Sequence, residues 1–221
     1  MSKKLFLLAL AAASFGLFAL PVAASAEEIH IDTATSFTGS GVGGSLVTEA
    51  EPTITCEIVD VNNGVITPGG TTGSMSLDFT GCHASVFGLT AKCHTTGSAL
   101  DNTIASGGTI HLITWKNSSG TAFPAVLVTA VTTEIICAGI STTHVEGNLI
   151  GTITSPKCGE TSNKLSLSFS ATGPVQNHIL YTNNPYDLIS RTGGGGGTPK
   201  TAGLNASPTI TMNTSGKLTC T

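Results

Sequence analysis

Six cysteines, Cys56, Cys82, Cys93, Cys137, Cys158 and Cys220, have the most chemistry to offer in this chain. They could ligate a metal or pair as disulfides. Cys82-His83 and Cys93-His94 could pass for the halves of a zinc site. Structural zinc sites, however, space the ligands of each half roughly two to four residues apart, and adjacent strand residues point to opposite faces. An even cysteine count behind an export signal implies three disulfides instead. Spacing favours Cys82–Cys93. The run Phe79-Thr80-Gly81-Cys82 ends one alternating stretch, and Leu89 to Cys93 opens the next with Leu89, Ala91 and Cys93 on one face. Two arms folded back bring such residues within the roughly 4.4–6.8 Å Cα separation that a disulfide tolerates. The other four then read as Cys137–Cys158 with Cys56–Cys220, or as Cys56–Cys137 with Cys158–Cys220.

Catalytic signals are sparse. The sequence holds no G-x-S-x-G elbow and no H-E-x-x-H, and no S-x-x-K accompanied by partner motifs. The thirteen carboxylates are scattered, with Glu27-Glu28 and Glu49/Glu51 reading as terminal or strand-edge charges. A glycosidase needs two carboxylates facing each other roughly 5–10 Å apart, which only the fold can arrange. His30, His83, His94, His111, His144 and His178 read as outward polar residues. A triad of His111, Asp78 and a serine is formally possible. Gly193 to Gly197 precedes Thr198-Pro199-Lys200, whereas a phosphate loop sets glycine directly before lysine and Ser/Thr after it. This run therefore reads as a floppy surface loop, and Gly39–Gly44 as a flexible turn. No catalytic residue, metal ligand or cofactor-binding residue is assigned, and no cofactor is expected. Sugar binding stacks rings on aromatic faces, and Trp115, Tyr181 and Tyr186 are few for that; Trp115, beside Lys116 and Asn117, is the aromatic worth testing. Asn117, Asn205 and Asn213 each head a glycosylation sequon, a match that chance supplies readily in so Ser/Thr-rich a chain.

The elements that position these residues read as strands. Ser74 to Phe79 and Lys164 to Ser170 alternate polar and apolar without a fault. Ile54, Cys56 and Ile58 fall on one face by the same period. Turn residues punctuate the runs at Asn62-Asn63-Gly64, Pro68-Gly69-Gly70, Gly107-Gly108, Asn117-Ser118-Ser119-Gly120 and Asn183-Asn184-Pro185. Two stretches echo one another as an internal duplication would. Ile54-Thr55-Cys56 followed by Met75 to Thr80 resembles Ile135-Ile136-Cys137 followed by Leu165 to Ser170.

Residues 1–26 read as an export signal. Lys3-Lys4 precedes the uncharged run Leu5–Leu20, Pro21 breaks it, and Ala24-Ser25-Ala26 offers a cleavage site before Glu27. That run is short of the roughly 20 residues a membrane span requires. The chain of 221 residues carries 35 Thr, 22 Ser and 27 Gly, with 10% charged residues and a net charge of −4. Such a composition excludes a coiled coil, and nine Lys and Arg are too few for an electrostatic nucleic-acid binder.

Thr55-Cys56, Phe79-Thr80-Gly81-Cys82, Lys92-Cys93, Gly107-Gly108-Thr109-Ile110, Ile136-Cys137, Gly147-Asn148-Leu149-Ile150-Gly151 and Pro156-Lys157-Cys158-Gly159 together resemble uncharacterised exported Thr/Gly-rich proteins of actinobacteria. That resemblance implies a β fold and export, and no activity. A fainter similarity, at fold level alone, is to disulfide-bridged sandwich apoproteins that carry enediyne chromophores. The expected architecture is all-β: a disulfide-stapled sandwich, or alternatively a closed barrel. It occupies residues 27–221 as a single domain, or as two halves split near residue 120. The expected role is that of a secreted or cell-surface module, binding or structural and not enzymatic, with neither nucleic-acid partner nor transmembrane span. A hydrolase whose site is assembled only in the fold, and a small-ligand carrier, are the alternatives.

Overall fold

Alternation becomes strand almost throughout. The computed structural model describes residues 29–33, 36–49, 52–67, 70–86, 88–98, 102–139, 141–178, 187–193 and 195–220. The expected signal peptide, Tyr181, Tyr186 and the Asn183-Asn184-Pro185 turn lie outside them. The described residues contain no helix. They form β1 (Ile29–Ile31), β2 (Ser36–Thr48), β3 (Ile54–Ile66), β4 (Thr72–Thr80), β5 (His83–Val86), β6 (Leu89–Thr95), β7 (Ile104–Lys116), β8 (Ala122–Cys137), β9 (Ser141–Ser155), β10 (Thr161–Ser168), β11 (Ala171–Thr172), β12 (Val175–Gln176), β13 (Ile189–Thr192), β14 (Lys200–Ala206) and β15 (Thr209–Cys220).

Of the two expected all-β architectures, the closed barrel is the one formed. Antiparallel pairing runs β2-β3-β4-β7-β8-β9-β10-β15 and returns from β15 to β2, closing an eight-stranded ring. The long strands β2, β3, β8 and β9 continue past this ring and close a second one. Its order is β2-β3-β5-β6-β8-β9-β13-β14 and back to β2. Closure leaves both rings without a free sheet edge.

Moving four places around either ring carries β2 onto β8, β3 onto β9, β4 onto β10 and β7 onto β15, with β5 and β6 falling on β13 and β14. The chain therefore repeats one six-strand pattern, before and after the 117–121 turn, and each half supplies four strands to each ring. Neither half closes a ring alone. Met75 to Thr80 lies in β4 and Leu165 to Ser168 in the corresponding β10, with Phe169 and Ser170 just past its end, so that half of the echo coincides with the repeat. The Cys56/Cys137 half does not, since β3 corresponds to β9 and not to β8.

Inward residues are mainly apolar, with a few buried polar ones such as Thr143 and Ser190, and outward ones are mainly Thr, Ser and charged. Val59, Val61, Leu77, Ile110, Leu112, Val128, Ile153, Leu167 and Ile210 are all buried in one core. Each such side chain stabilises the fold by roughly 1.5–3 kcal/mol. The sidedness is the reverse of a membrane-spanning barrel, and no helix among the described residues is long and apolar enough to cross a membrane. Aromatic rings fill the space that glycines leave inside. A Cβ on Gly151 would lie 2.7 Å from the Phe169 ring, and one on Gly64 would overlap Phe37.

Several expectations need correction. Gly39–Gly44 is no turn but the middle of β2, where the positive φ of Gly43 (73°) reverses the strand's facing between the two rings. Val42 and its partner Ile58 consequently face solvent, so Ile58 does not share a face with Ile54 and Cys56. The glycine run, read as a surface loop, does fall in a turn: Gly193 and Gly195–Gly197 lie between β13 and β14, with Gly197 N–H donating to Thr192 O at 3.2 Å. All six expected cysteines are disulfide-bonded, but as Cys56–Cys82, Cys93–Cys137 and Cys158–Cys220. Cys82–Cys93, Cys137–Cys158, Cys56–Cys220 and Cys56–Cys137 do not form, whereas Cys158–Cys220 does. The Cys82 and Cys93 backbones do meet, with Cys93 N–H donating to Cys82 O at 3.0 Å. Their sulfurs turn to the flanking long strands, because Cys137 is the residue opposite Cys93 and Thr55↔His83 brings Cys56 alongside Cys82.

Candidate functional site

Local pairing builds a groove at the first ring's end. β7 and β8 place Trp115 directly opposite Phe123 on the outer wall, with ring centroids 5.9 Å apart and tilted by 35°. The 117–121 turn that joins these strands is clamped by Asn117, whose Oδ1 accepts from Ser119 N–H, Ser119 Oγ–H and Thr121 N–H at 3.1, 2.8 and 2.8 Å. Its amide nitrogen keeps no partner among the described residues, and this sequon's side chain is committed to the turn.

The opposite rim comes from the β9–β10 connection. Glu160 accepts the Lys157 N–H at 2.7 Å, and Cys158–Cys220 fastens the turn to β15. Lys157 therefore stands at a fixed place on the groove edge.

The third wall is His178, set down by the β11–β12 hairpin. That hairpin lies on β14 where Gly203 has no side chain; a Cβ there would come within 2.6 Å of Ala171. The Ala171 N–H donates to Asn205 Oδ1 at 2.8 Å. The buried Gln176 amide fits between Ser170 O at 2.9 Å and Leu204 N at 2.6 Å. Two residues on, the His178 ring meets Trp115 edge-on at 4.5 Å. Burial pushes its imidazole below the ordinary 6.5, because desolvation disfavours the charged form. Its Nδ1 is buried with no hydrogen-bond partner among the described residues.

Trp115, Asn117, Phe123, Thr152, Lys157 and His178 thus line a groove of about 660 Å³. Ligand sites commonly measure about 300–1,000 Å³. The lumen offers much less. An apolar cavity of about 50 Å³ remains where the rings meet, lined by Leu46, Ile54, Leu77, Phe79, Val131 and Leu204 among others. No titratable group lines it, and it is several-fold too small for an ordinary ligand.

Charged side chains gather elsewhere on the outer wall. Arg191 donates to Glu146 at 3.0 Å, and His144 lies 3.5 Å from the same carboxylate. The Arg191 hydrogen bond, first among the causes, holds Glu146 below the ordinary 4.5. Asp60 and Asp78 are directly opposite on β3 and β4, with Asn62 donating to Asp78 at 2.8 Å. Asp60 lines a shallow outer recess of about 560 Å³ with Val42 and Ile58, and Asp78 is not part of its lining. His111 contacts Thr129 at 3.4 Å, His83 contacts Thr55 at 3.1 Å and His30 pairs with Asp32. No group of three or more His, Cys, Asp or Glu among the described residues could hold a metal ion.

Sequence reasoning singled out Trp115 and the Asn117 turn but took His178 for an outward polar residue. Nothing in its neighbourhood signals the contact, which depends on how a hairpin docks on β14. No family model, curated protein or solved structure matches this chain.

Proposed function

We propose that the chain is an exported, non-enzymatic binding module that acts outside the cell or at its surface. The aromatic groove carries this reading, since it has the volume of a ligand site and no pair of groups poised for acid–base or nucleophilic work. Three disulfides belong to an oxidising compartment, and the export-like residues 1–26 and the resemblance to exported Thr/Gly-rich proteins support the same location. Sequencing the amino terminus of protein recovered from the culture medium tests export, with Glu27 the expected first residue. Purified 27–221 is expected to leave chromogenic ester, glycoside and peptide substrates intact while ligands change Trp115 fluorescence.

The hydrolase alternative draws on one observation, the opposed Asp60 and Asp78. It requires turnover that Asp60→Asn and Asp78→Asn each abolish. Turnover of that kind would replace the binding reading.

A further inference from the structure

We propose that the Trp115 groove binds a neutral oligosaccharide, a step that rests on the binding-module reading and names its ligand class. Trp115 and Phe123 form an angled platform of two rings at 5.9 Å, and Phe123 is 37% exposed on the open wall. Aromatic faces carry negative quadrupole density, which attracts the polarised C–H bonds on the apolar face of a pyranose. Hydroxyls around the sugar then need single hydrogen-bond partners at the rim. Two stand there, the Asn117 amide nitrogen, which the turn leaves unused, and the Thr152 hydroxyl, while the His178 ring packs against Trp115 and holds it in place.

Charge selects against other ligands. Lys157 is the one formally charged side chain lining the groove among the described residues. A polyanion would require a cluster of cations, and a cationic ligand would meet Lys157 with no carboxylate in the lining. A fatty chain would leave the Asn117 amide and the Thr152 hydroxyl without partners. A neutral sugar satisfies both the rings and the rim.

The single tryptophan makes the test direct. Purified 27–221 is titrated with cellohexaose, xylohexaose and mannohexaose, reading Trp115 emission, with a reducing-end assay on the same samples. A heparin hexasaccharide and an apolar hexapeptide are titrated as contrasts. At least one neutral sugar is expected to saturate the emission change with no new reducing ends. Phe123→Ala is expected to weaken that binding tenfold or more, and His178→Gln several-fold, both with unchanged far-UV circular dichroism. Phe123 is a surface residue, so its loss need not unfold the barrel. Saturation by the peptide or by heparin alone overturns the sugar assignment and leaves the binding-module reading standing. New reducing ends that Asp60→Asn abolishes overturn the non-enzymatic reading and leave the sugar class standing. Emission unmoved by every neutral sugar overturns the sugar assignment.

Discussion

Replacing the Cys158–Cys220 disulfide by Cys158→Ala/Cys220→Ala should act almost wholly on the unfolded chain. The two residues are 62 apart in sequence, and the chain-entropy relation for such a loop gives roughly 4.3 kcal/mol at 25 °C. Cys158 is exposed and Cys220 only partly buried, so little buried contact disappears with the sulfurs. Hydrogen bonds from Gly159 N–H to Leu218 O and from Leu218 N–H to Glu160 O still hold the turn against β15. The expected loss is therefore roughly 4 kcal/mol, the chain-entropy limit. Cys93→Ala/Cys137→Ala provides the contrast. Its separation of 44 gives a slightly smaller roughly 4.0 kcal/mol by the same relation. Yet Cys93 and Cys137 are 0% and 2% exposed, so two vacated sulfur positions add roughly 1–2 kcal/mol of lost packing. The buried pair should cost more although its loop is shorter. Equilibrium urea unfolding followed by circular dichroism and Trp115 emission measures both. Against a typical total of about 5–15 kcal/mol, the first variant should stay folded without denaturant. If the exposed pair costs more than the buried pair, or its removal changes the far-UV spectrum in buffer, the reasoning fails.

Other outcomes follow from single contacts. Gly151→Ala presses a methyl against the Phe169 ring at 2.7 Å, and calorimetry should show a loss of roughly 1–3 kcal/mol from overpacking. His178 is held below 6.5 by burial, so the unfolded chain takes up a proton that the fold resists. Its contribution is complete above pH 6.5 and lost as the pH falls toward the folded value; between pH 7.5 and 5, the melting temperature should drop less in His178→Gln than in the parent. Glu146 is held below 4.5 chiefly by Arg191, so that pair stabilises above pH 4.5 and fades below it. Because both side chains are partly exposed, Arg191→Met should cost only about 0–1 kcal/mol at pH 7, read by urea midpoint. Asp60→Asn removes one of two like charges that face each other across β3 and β4, and should raise stability at pH 7 by about 0.2–1 kcal/mol.

Local patterning was legible because it is local. Met75, Leu77 and Phe79, and likewise Leu165, Leu167 and Phe169, are buried as period-two alternation requires. Barrel closure was not, since it rests on β2 meeting both β15 and β14, pairings that join opposite ends of the chain. Ile58 shows how a strand can keep its sequence pattern and change its facing. One left-handed residue, Gly43 in the neighbouring strand, reverses the pleat of the pair. The groove divides the same way. Trp115, Phe123 and Asn117 lie within nine residues of one hairpin, whereas His178 arrives by tertiary docking.

The cysteines show why proximity along the chain misled. Cys82 and Cys93 do lie side by side, but a bond between them would have closed the β5–β6 hairpin on itself. That hairpin meets the rest of the second ring through short pairings only, two residue pairs to β3 and three to β8. Few ladder hydrogen bonds secure those seams, so they are where local opening should begin. Cys56–Cys82 lies at the first seam and Cys93–Cys137 at the second. The hairpin is thereby fastened on one side to its own half of the chain and on the other to the next. Cys158–Cys220 instead ties the β9–β10 turn to the end of β15, next to the three-pair contact of β15 with β1. Two of the three staples therefore lie at short seams of the second ring, a property of the assembled barrel that no spacing of cysteines along the chain encodes.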